Sequence, residues 1–473
     1  MQLFSMAWRS TLALLLGLLA GSSVPSHALQ PKKIDVRTAL DEYVAQPDTN
    51  YTWRVVRSDK AGAAQAHLLE MTSQAWLTTN EVNQPLWKHW LTVIIPEEVK
   101  HTNSLLFITG DSNDKEPPRN PPADLLQIAT TTDSIVSELR MVPNQPLKFK
   151  GDGEERHEDS LVAYTWDRYL RTGDQRWPAR LPMTKSAVRA MDTVAAFSRS
   201  QKAGAHQVSG FVVSGASKRG WTSWTTAAVD SRVVAIIPIV IDMLNVIPSF
   251  EHHYEAYGFW APAVGDYEAM RIMDWTYTPE YKALMKIEEP FEYRDRLTLP
   301  KYLINATGDQ FFLPDSAQFY WKELKGPKYL RYIPNTDHSL RKSDASQSLL
   351  AFYQSILTKK TVPEISWNMD TPGKIEASLN KKAHAVKLWQ ATNPTARDFR
   401  LETIGPSWAS RDLDPNATLW SIEVPPPVEG WTAYFVEFTF EGKPAPLKFT
   451  TEVRVTPDTL PFKGKMPKST PPK

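Results

Sequence analysis

Phe211-Val-Val-Ser-Gly-Ala-Ser-Lys-Arg-Gly220 carries, in quick succession, an apolar strand, a turn of small residues and the opening of a helix. The apolar strand spans Val208 to Val213, and apolar residues at helical spacing continue from Trp221 to Val229. A serine on such a strand-to-helix turn presents its hydroxyl at the end of a sheet. The backbone folds back on itself there and tolerates only small neighbours. Gly215 and Gly220 bracket Ser217 accordingly, although Arg219 stands two residues after the serine, where glycine is usual. Ser217 is therefore the candidate nucleophile.

A serine hydroxyl is a weak nucleophile near neutral pH and needs a base within hydrogen-bond reach, itself oriented by a carboxylate. On a sheet entered by this kind of turn the chain order is Ser, then Asp or Glu after a later strand, then His after the next. Asp309 follows the predicted strand Tyr302 to Ala306, and His338 follows the predicted strand Lys328 to Ile333. Asp242, at the end of the strand Val233 to Ile241, is the rival carboxylate, and Asp309 can also be read as a turn cap. The oxyanion of acyl transfer needs fixed donors. One is expected from the backbone N–H of Lys218, a second from Gly110 or Asp111 in the loop after Ser104 to Thr109. Lys218 and Arg219 also stand where they would meet a negatively charged substrate group, and Trp221 is the tryptophan best placed to line the substrate site.

Working outward, Tyr51 to Arg57, Ala66 to Thr72 and Leu86 to Ile95 read as strands that lead into Ser104 to Thr109. Asp124 to Leu139, Leu161 to Arg171 and Lys185 to Ser200 read as helices. An aromatic-rich insertion runs from Met243 to about Leu299, and Ser316 to Leu324 and Asp344 to Leu357 read as helices. This alternation predicts an α/β-hydrolase fold over residues 29–360: a doubly wound, mostly parallel sheet with a cap inserted at about 243–299. Beyond it, Ala383 to Gln390, Leu419 to Val424, Ala433 to Phe440 and Leu447 to Val455 predict a small β-sandwich-like C-terminal domain over 361–456. Residues 457–473, rich in Pro and Lys, read as a disordered tail.

Lys plus Arg (54) and Asp plus Glu (53) nearly cancel in the 473-residue chain, so no global field gathers nucleic acid or an anionic membrane. Residues 1–28 read as a signal peptide, with Arg9, an apolar run from Thr11 to Ala20 and the small-residue site Ser26-His-Ala28. That run is too short to span a membrane, and no later stretch is long enough. An exported protein, periplasmic or extracellular, is the expectation. Cysteine is absent, which excludes disulfides, thiolate metal sites and a Cys nucleophile. His252-His253, flanked by Glu251 and Glu255, looks like a metal site, but adjacent histidines rarely converge on one ion. Both are read as solvated, and no metal or cofactor is implied. The expected partner is a small-molecule, peptide or ester substrate, with oligomeric state left open.

Ala163-Tyr-Thr-Trp166, Leu181-Pro-Met-Thr-Lys-Ser-Ala-Val-Arg-Ala-Met-Asp192, Ser214-Gly-Ala-Ser-Lys-Arg-Gly220 and Gly308-Asp-Gln-Phe-Phe-Leu-Pro-Asp315 together resemble the PhoPQ-activated pathogenicity-related family over about residues 35 to 455. The resemblance implies a bacterial exported α/β-hydrolase with an appended β-domain, regulated with antimicrobial-peptide stress and virulence, and a triad at Ser217, Asp309 and His338. The family also includes a secreted eukaryotic proliferation repressor. The Ser-Lys-Arg-Gly turn resembles the Ser-Arg-x-Gly turn of glucuronoyl esterases, where a cation beside the serine helps hold the oxyanion. Gly110-Asp111 stands where many relatives are expected to have Gly-Gly. Two functions follow: a serine hydrolase of ester or amide bonds, or a secreted binding or signalling protein on a hydrolase scaffold whose chemistry is dispensable.

Overall fold

The computed structural model describes residues 37–468 together with 470 and 471, so the expected signal peptide at 1–28 lies outside the described residues. The described residues form one compact unit. Its spine is a nine-stranded sheet. In chain order the strands are β1 (Thr52–Ala61), β2 (Ala64–Ala75), β3 (Leu86–Pro96), β4 (Asn103–Ile108), β5 (Val136–Leu139), β6 (Gly210–Ala216), β7 (Val233–Ile239), β8 (Lys301–Ala306) and β9 (Lys328–Ile333). In space they follow the order β1-β2-β3-β5-β4-β6-β7-β8-β9. The first three pair antiparallel, β3 pairs antiparallel with β5, and β5 through β9 are parallel. This is the α/β-hydrolase arrangement.

The parallel strands are buried on both faces, which explains their unbroken apolar character. Successive side chains of a strand point to opposite faces. Phe211 and Val213 enter one core, with Trp166, Leu181, Trp221 and Trp224 from the helices Glu158–Thr172, Arg180–Ser198 and Lys218–Val229. Val212 enters the other core, with Leu125 and Ile128 from Ala123–Thr132 and Leu349 and Phe352 from Ala345–Leu357. The cap is a helical insertion between β7 and β8 that contains Val246–Tyr257 and Pro279–Glu288.

Three expectations need correction. Asp124 to Leu139 is not one helix: Asp133, with φ 50°, ends Ala123–Thr132, and the chain turns into the wholly buried strand β5. Ser316 to Leu324 forms two short 3-10 turns, Ser316–Phe319 and Trp321–Glu323, not an α-helix. Residues 457–468 are placed and bonded, although their composition suggests disorder. The Phe462 N–H donates to the Glu255 carbonyl at 2.9 Å, Trp431 Nε1 donates to the Thr459 carbonyl at 3.0 Å, and Leu460 packs on Tyr257 and Leu313. These two hydrogen bonds and the Leu460 packing outweigh the Pro- and Lys-rich context.

Past residue 360 the chain forms antiparallel sheets of three and five strands. They join the same compact unit. Phe435, fully buried, lies 6.3 Å from the Tyr332 ring of β9 and 5.3 Å from Trp408. Beside it Arg331 of β9 pairs with Glu437 in the interior, and the Tyr332 N–H donates to Thr450 Oγ1 at 3.1 Å. Among the described residues no helix is long and apolar enough to cross a membrane.

Phe435→Ala is expected to cost about 3–5 kcal/mol, because the cavity would open where β9 meets the C-terminal sheet. Urea denaturation is expected to remain a single transition at a lower midpoint. Two separated transitions would show that the C-terminal strands fold as an independent domain.

Candidate active site

Ser217 sits between β6 and the helix Lys218–Val229 with φ 58° and ψ −128°, a conformation a non-glycine residue adopts only under tight constraint. Its N–H donates to the Ile239 carbonyl of β7 at 2.8 Å, and its own carbonyl accepts the Trp221 N–H at 3.0 Å. The displaced second glycine of the motif has a packing reason. A Cβ on Gly220 would lie 2.9 Å from Ile241 Cγ2 and 3.0 Å from the Gly215 carbonyl oxygen. The helix can approach the sheet this closely only at residue 220. Arg219 is free to be large because its side chain leaves in another direction.

Asp309 and His338 follow β8 and β9 at the same carboxyl edge of the sheet. His338 Nδ1 lies 2.8 Å and 3.0 Å from the two carboxylate oxygens of Asp309. The carboxylate is almost fully buried and also accepts the Phe311 N–H at 2.8 Å. The His338 backbone N–H donates to Gln310 Oε1 at 3.0 Å, and the Phe311 ring packs 4.5 Å from the imidazole. Phe311 and Phe312 line the cleft that contains Ser217, and both rings also pack against the His338 imidazole, at 4.5 Å and 5.9 Å. Among the described residues no hydrogen bond joins Ser217 to His338 itself, which lines a second cleft with Ala216.

Asp242, the rival carboxylate, is held elsewhere. Tyr320 and Tyr332 both donate hydroxyl bonds to it, the latter at 2.6 Å. Burial pushes its carboxyl up to about 8, although the two tyrosine bonds pull the other way. His338 is paired with Asp309 alone of the two.

The cations beside the nucleophile are not free. Arg219 makes a bidentate pair with Glu158, at 2.7 Å and 2.6 Å, and its Nε donates to the Val142 carbonyl. Lys218 Nζ lies 2.8 Å from Glu158 and 3.0 Å from Asp159, and Asp159 also accepts the Tyr267 hydroxyl at 3.1 Å. Burial alone would raise the Glu158 carboxyl, but Arg219 and Lys218 hold it well below the usual carboxylate range. The expectation that Lys218 and Arg219 offer charge to a substrate is therefore corrected: both side chains are buried and matched by carboxylates. Glu158 and Asp159 gave no sequence signal, since an acidic pair at a helix start is ordinarily read as complementing the helix dipole.

Gly110 backs onto the Arg219 guanidinium, with a Cβ there falling 2.8 Å from Arg219 Cζ. The Asp111 side chain is drawn to Lys115, at 3.0 Å, and Arg140, at 3.5 Å. The Lys218 N–H opens the helix and so has no partner within it. Trp221 lines the Ser217 cleft, fully buried, with Nε1 donating to the Glu288 carbonyl at 2.6 Å. Trp166 lines it too, as does Arg180, which carried no signal in the sequence.

His252 and His253 are buried, not solvated. His252 Nε2 lies 3.0 Å from Asp315, which also takes Arg397 Nη2 at 2.6 Å, and His253 Nε2 accepts the Ala261 N–H at 3.0 Å. His252 ties the cap to Asp315 and Arg397, and His253 bonds within the cap. Among the described residues no group of three or more His, Asp or Glu side chains is arranged to hold a metal ion.

Residues 40–400 match the PhoPQ-activated pathogenicity-related protein family. Autocrine proliferation repressor protein A of Dictyostelium discoideum is 37% identical over 456 residues, covering 90% of this chain and 92% of that protein. Among solved structures, acetyl xylan esterase 1 from Thermoanaerobacterium superposes with a TM-score of 0.45 at 14% identity, covering 68% of this chain and 92% of that one. Glucuronoyl esterase from Solibacter usitatus gives 0.39 at 15% identity, with 67% and 91% covered.

Asp242 offers a test of the buried acid beneath the site. A carboxyl whose folded value is raised from 3.8 to about 8 contributes stability that is present below 3.8 and lost as pH rises toward 8. Between about pH 5 and about pH 8, the wild type should lose at least about 1 kcal/mol more stability than Asp242→Asn in urea titrations. Parallel losses would mean that the carboxyl ionises as readily folded as unfolded.

Proposed function

The chain belongs to the PhoPQ-activated pathogenicity-related protein family, and from that premise we propose that it is a serine hydrolase of ester or amide bonds. The observation that carries this reading is the short Asp309–His338 contact at the same carboxyl edge of a parallel sheet as a serine held at positive φ. Strained turns of this kind persist at sites where they serve a reaction.

In the proposed reaction, His338 takes the Ser217 hydroxyl proton as Oγ attacks the substrate carbonyl. Asp309 fixes the imidazole through Nδ1 and stabilises the imidazolium that forms. The Lys218 N–H receives the developing oxyanion, with a second donor from the Gly110-Asp111 turn. The tetrahedral intermediate collapses, His338 returns the proton to the departing alcohol or amine, and water then releases the acyl group by the same steps. Export through residues 1–28 to the periplasm or medium, and a link to virulence, belong to the same proposal.

A second reading, a secreted binding or signalling protein on a dispensable hydrolase scaffold, is favoured by one observation: the relative named as an autocrine proliferation repressor. The two readings part at Ser217.

A fluorophosphonate probe should label the wild type and leave Ser217→Ala unlabelled; equal labelling of both would remove Ser217 from the mechanism. Asp309→Asn should lower kcat for a neutral aryl ester by on the order of 10³ to 10⁴. If Ser217→Ala protein, added to responsive cells, kept the full biological effect, the signalling reading would stand instead.

A further inference from the structure

The cleft at Ser217 is small, about 30 Å³, and opens to solvent. Its walls are largely apolar, among them Trp166, Phe250, Phe311 and Phe312. Three buried cations lie at or beside it, with three carboxylates, Glu158, Asp159 and Glu288, close to them. Lys218 and Arg219 are matched by Glu158 and Asp159, two charges against two.

Arg180 is the remaining cation, and it lines the cleft while only 3% exposed. A guanidinium carries five N–H donors. Nη1 donates to the Lys218 carbonyl at 3.0 Å, and Nε hydrogen-bonds nothing among the described residues. Among the described residues Glu288 is the one carboxylate paired with it, at 3.9 Å, beyond hydrogen-bond distance. Trp166 Nε1 donates to that carboxyl, as does the Arg180 backbone N–H at 3.4 Å. Burial pushes Glu288 up to about 7, against the pull of Arg180 and Trp166, so near neutrality it cancels only part of the Arg180 charge. The guanidinium lies over the Trp221 ring, 4.4 Å from its centroid, which holds it in place.

A buried cation without its full complement of acceptors is costly. The Ser217 cleft is where a ligand can supply them. We propose that Arg180 binds a carboxylate of the substrate, making the protein a hydrolase of short acidic esters or amides whose carboxylate lies a few bonds from the scissile carbonyl. The Nη1 bond to Lys218, the residue after the nucleophile, sets the short spacing. Apolar walls strengthen the charge-assisted bonds of a carboxylate–guanidinium pair. The proposal rests on the reading of Ser217 as nucleophile and deepens it by naming the substrate class.

Binding can be separated from turnover. In the Ser217→Ala protein, calorimetry should detect succinate binding, and adding Arg180→Met should weaken it at least tenfold. Absence of binding, or equal affinity in both proteins, would overturn the assignment whatever Ser217 does. Should the Met variant not fold, Arg180→Lys, which keeps the charge but loses the planar fork, must still weaken succinate several-fold. In turnover, the wild type should favour mono-4-nitrophenyl succinate over 4-nitrophenyl butyrate in kcat/KM by tenfold or more, and Arg180→Met should erase that ratio. 4-Acetoxybenzoate, with the acid on the leaving side, separates acyl-side from leaving-side recognition; preference for neither acid would sink the proposal. If no ester is turned over while succinate binding still depends on Arg180, the reading of Ser217 fails and the carboxylate site stands.

Discussion

Ser217 occupies a backbone conformation that costs on the order of 1–3 kcal/mol for a residue with a Cβ, and the surrounding packing must hold it there. The constraint comes from three sides. Ile239 of β7 takes its N–H, Gly220 lets the following helix lie directly on the sheet, and Arg219 anchors the first helical turn to Glu158. Glu158 is itself at positive φ, 44°, and is fixed by mutual bonds with Gln145. Two strained residues brace each other across the turn, so the hydroxyl is positioned by the fold and not by a flexible loop.

That bracing changes what the basic residues of the motif are for. Lys218 and Arg219 are chemically suited to receive an anion, but an ion pair buried this deeply holds only if each charge is matched. Glu158 and Asp159 provide the match. The two cations become part of the frame, and the charge left facing the cleft is on Arg180, from a different helix. The same logic applies at the neighbouring strand end, where Asp242 is bonded by two tyrosines and Asp309 alone is left to His338.

The C-terminal strands are not an accessory in structural terms. β9 would be an open sheet edge, and the Arg331–Glu437 pair and the Tyr332–Phe435 packing cover it. His338 hangs from the loop that follows β9, so its position depends on that cover. The cap is tied in similarly, through His252, Asp315 and Arg397.

Much of the frame was legible in the residues. Apolar runs at β6, β7, β8 and β9, the small-residue turn at Ser217, and the order Ser217, Asp309, His338 are local or ordinal properties, which periodicity and motif spacing carry directly. Where the reading failed, the deciding contact was distant in the chain. The break between Ala123–Thr132 and β5 needed a sheet partner to show itself, and the tail at 457–468 is held by anchors on the cap that its composition does not reveal. The sequence by itself determined the sheet, the turn and the succession of reactive residues. Only the tertiary structure decided which charges are closely matched: Arg219 and Glu158 stand 61 positions apart, and their pairing depends on through-space distance and desolvation, which no local pattern encodes.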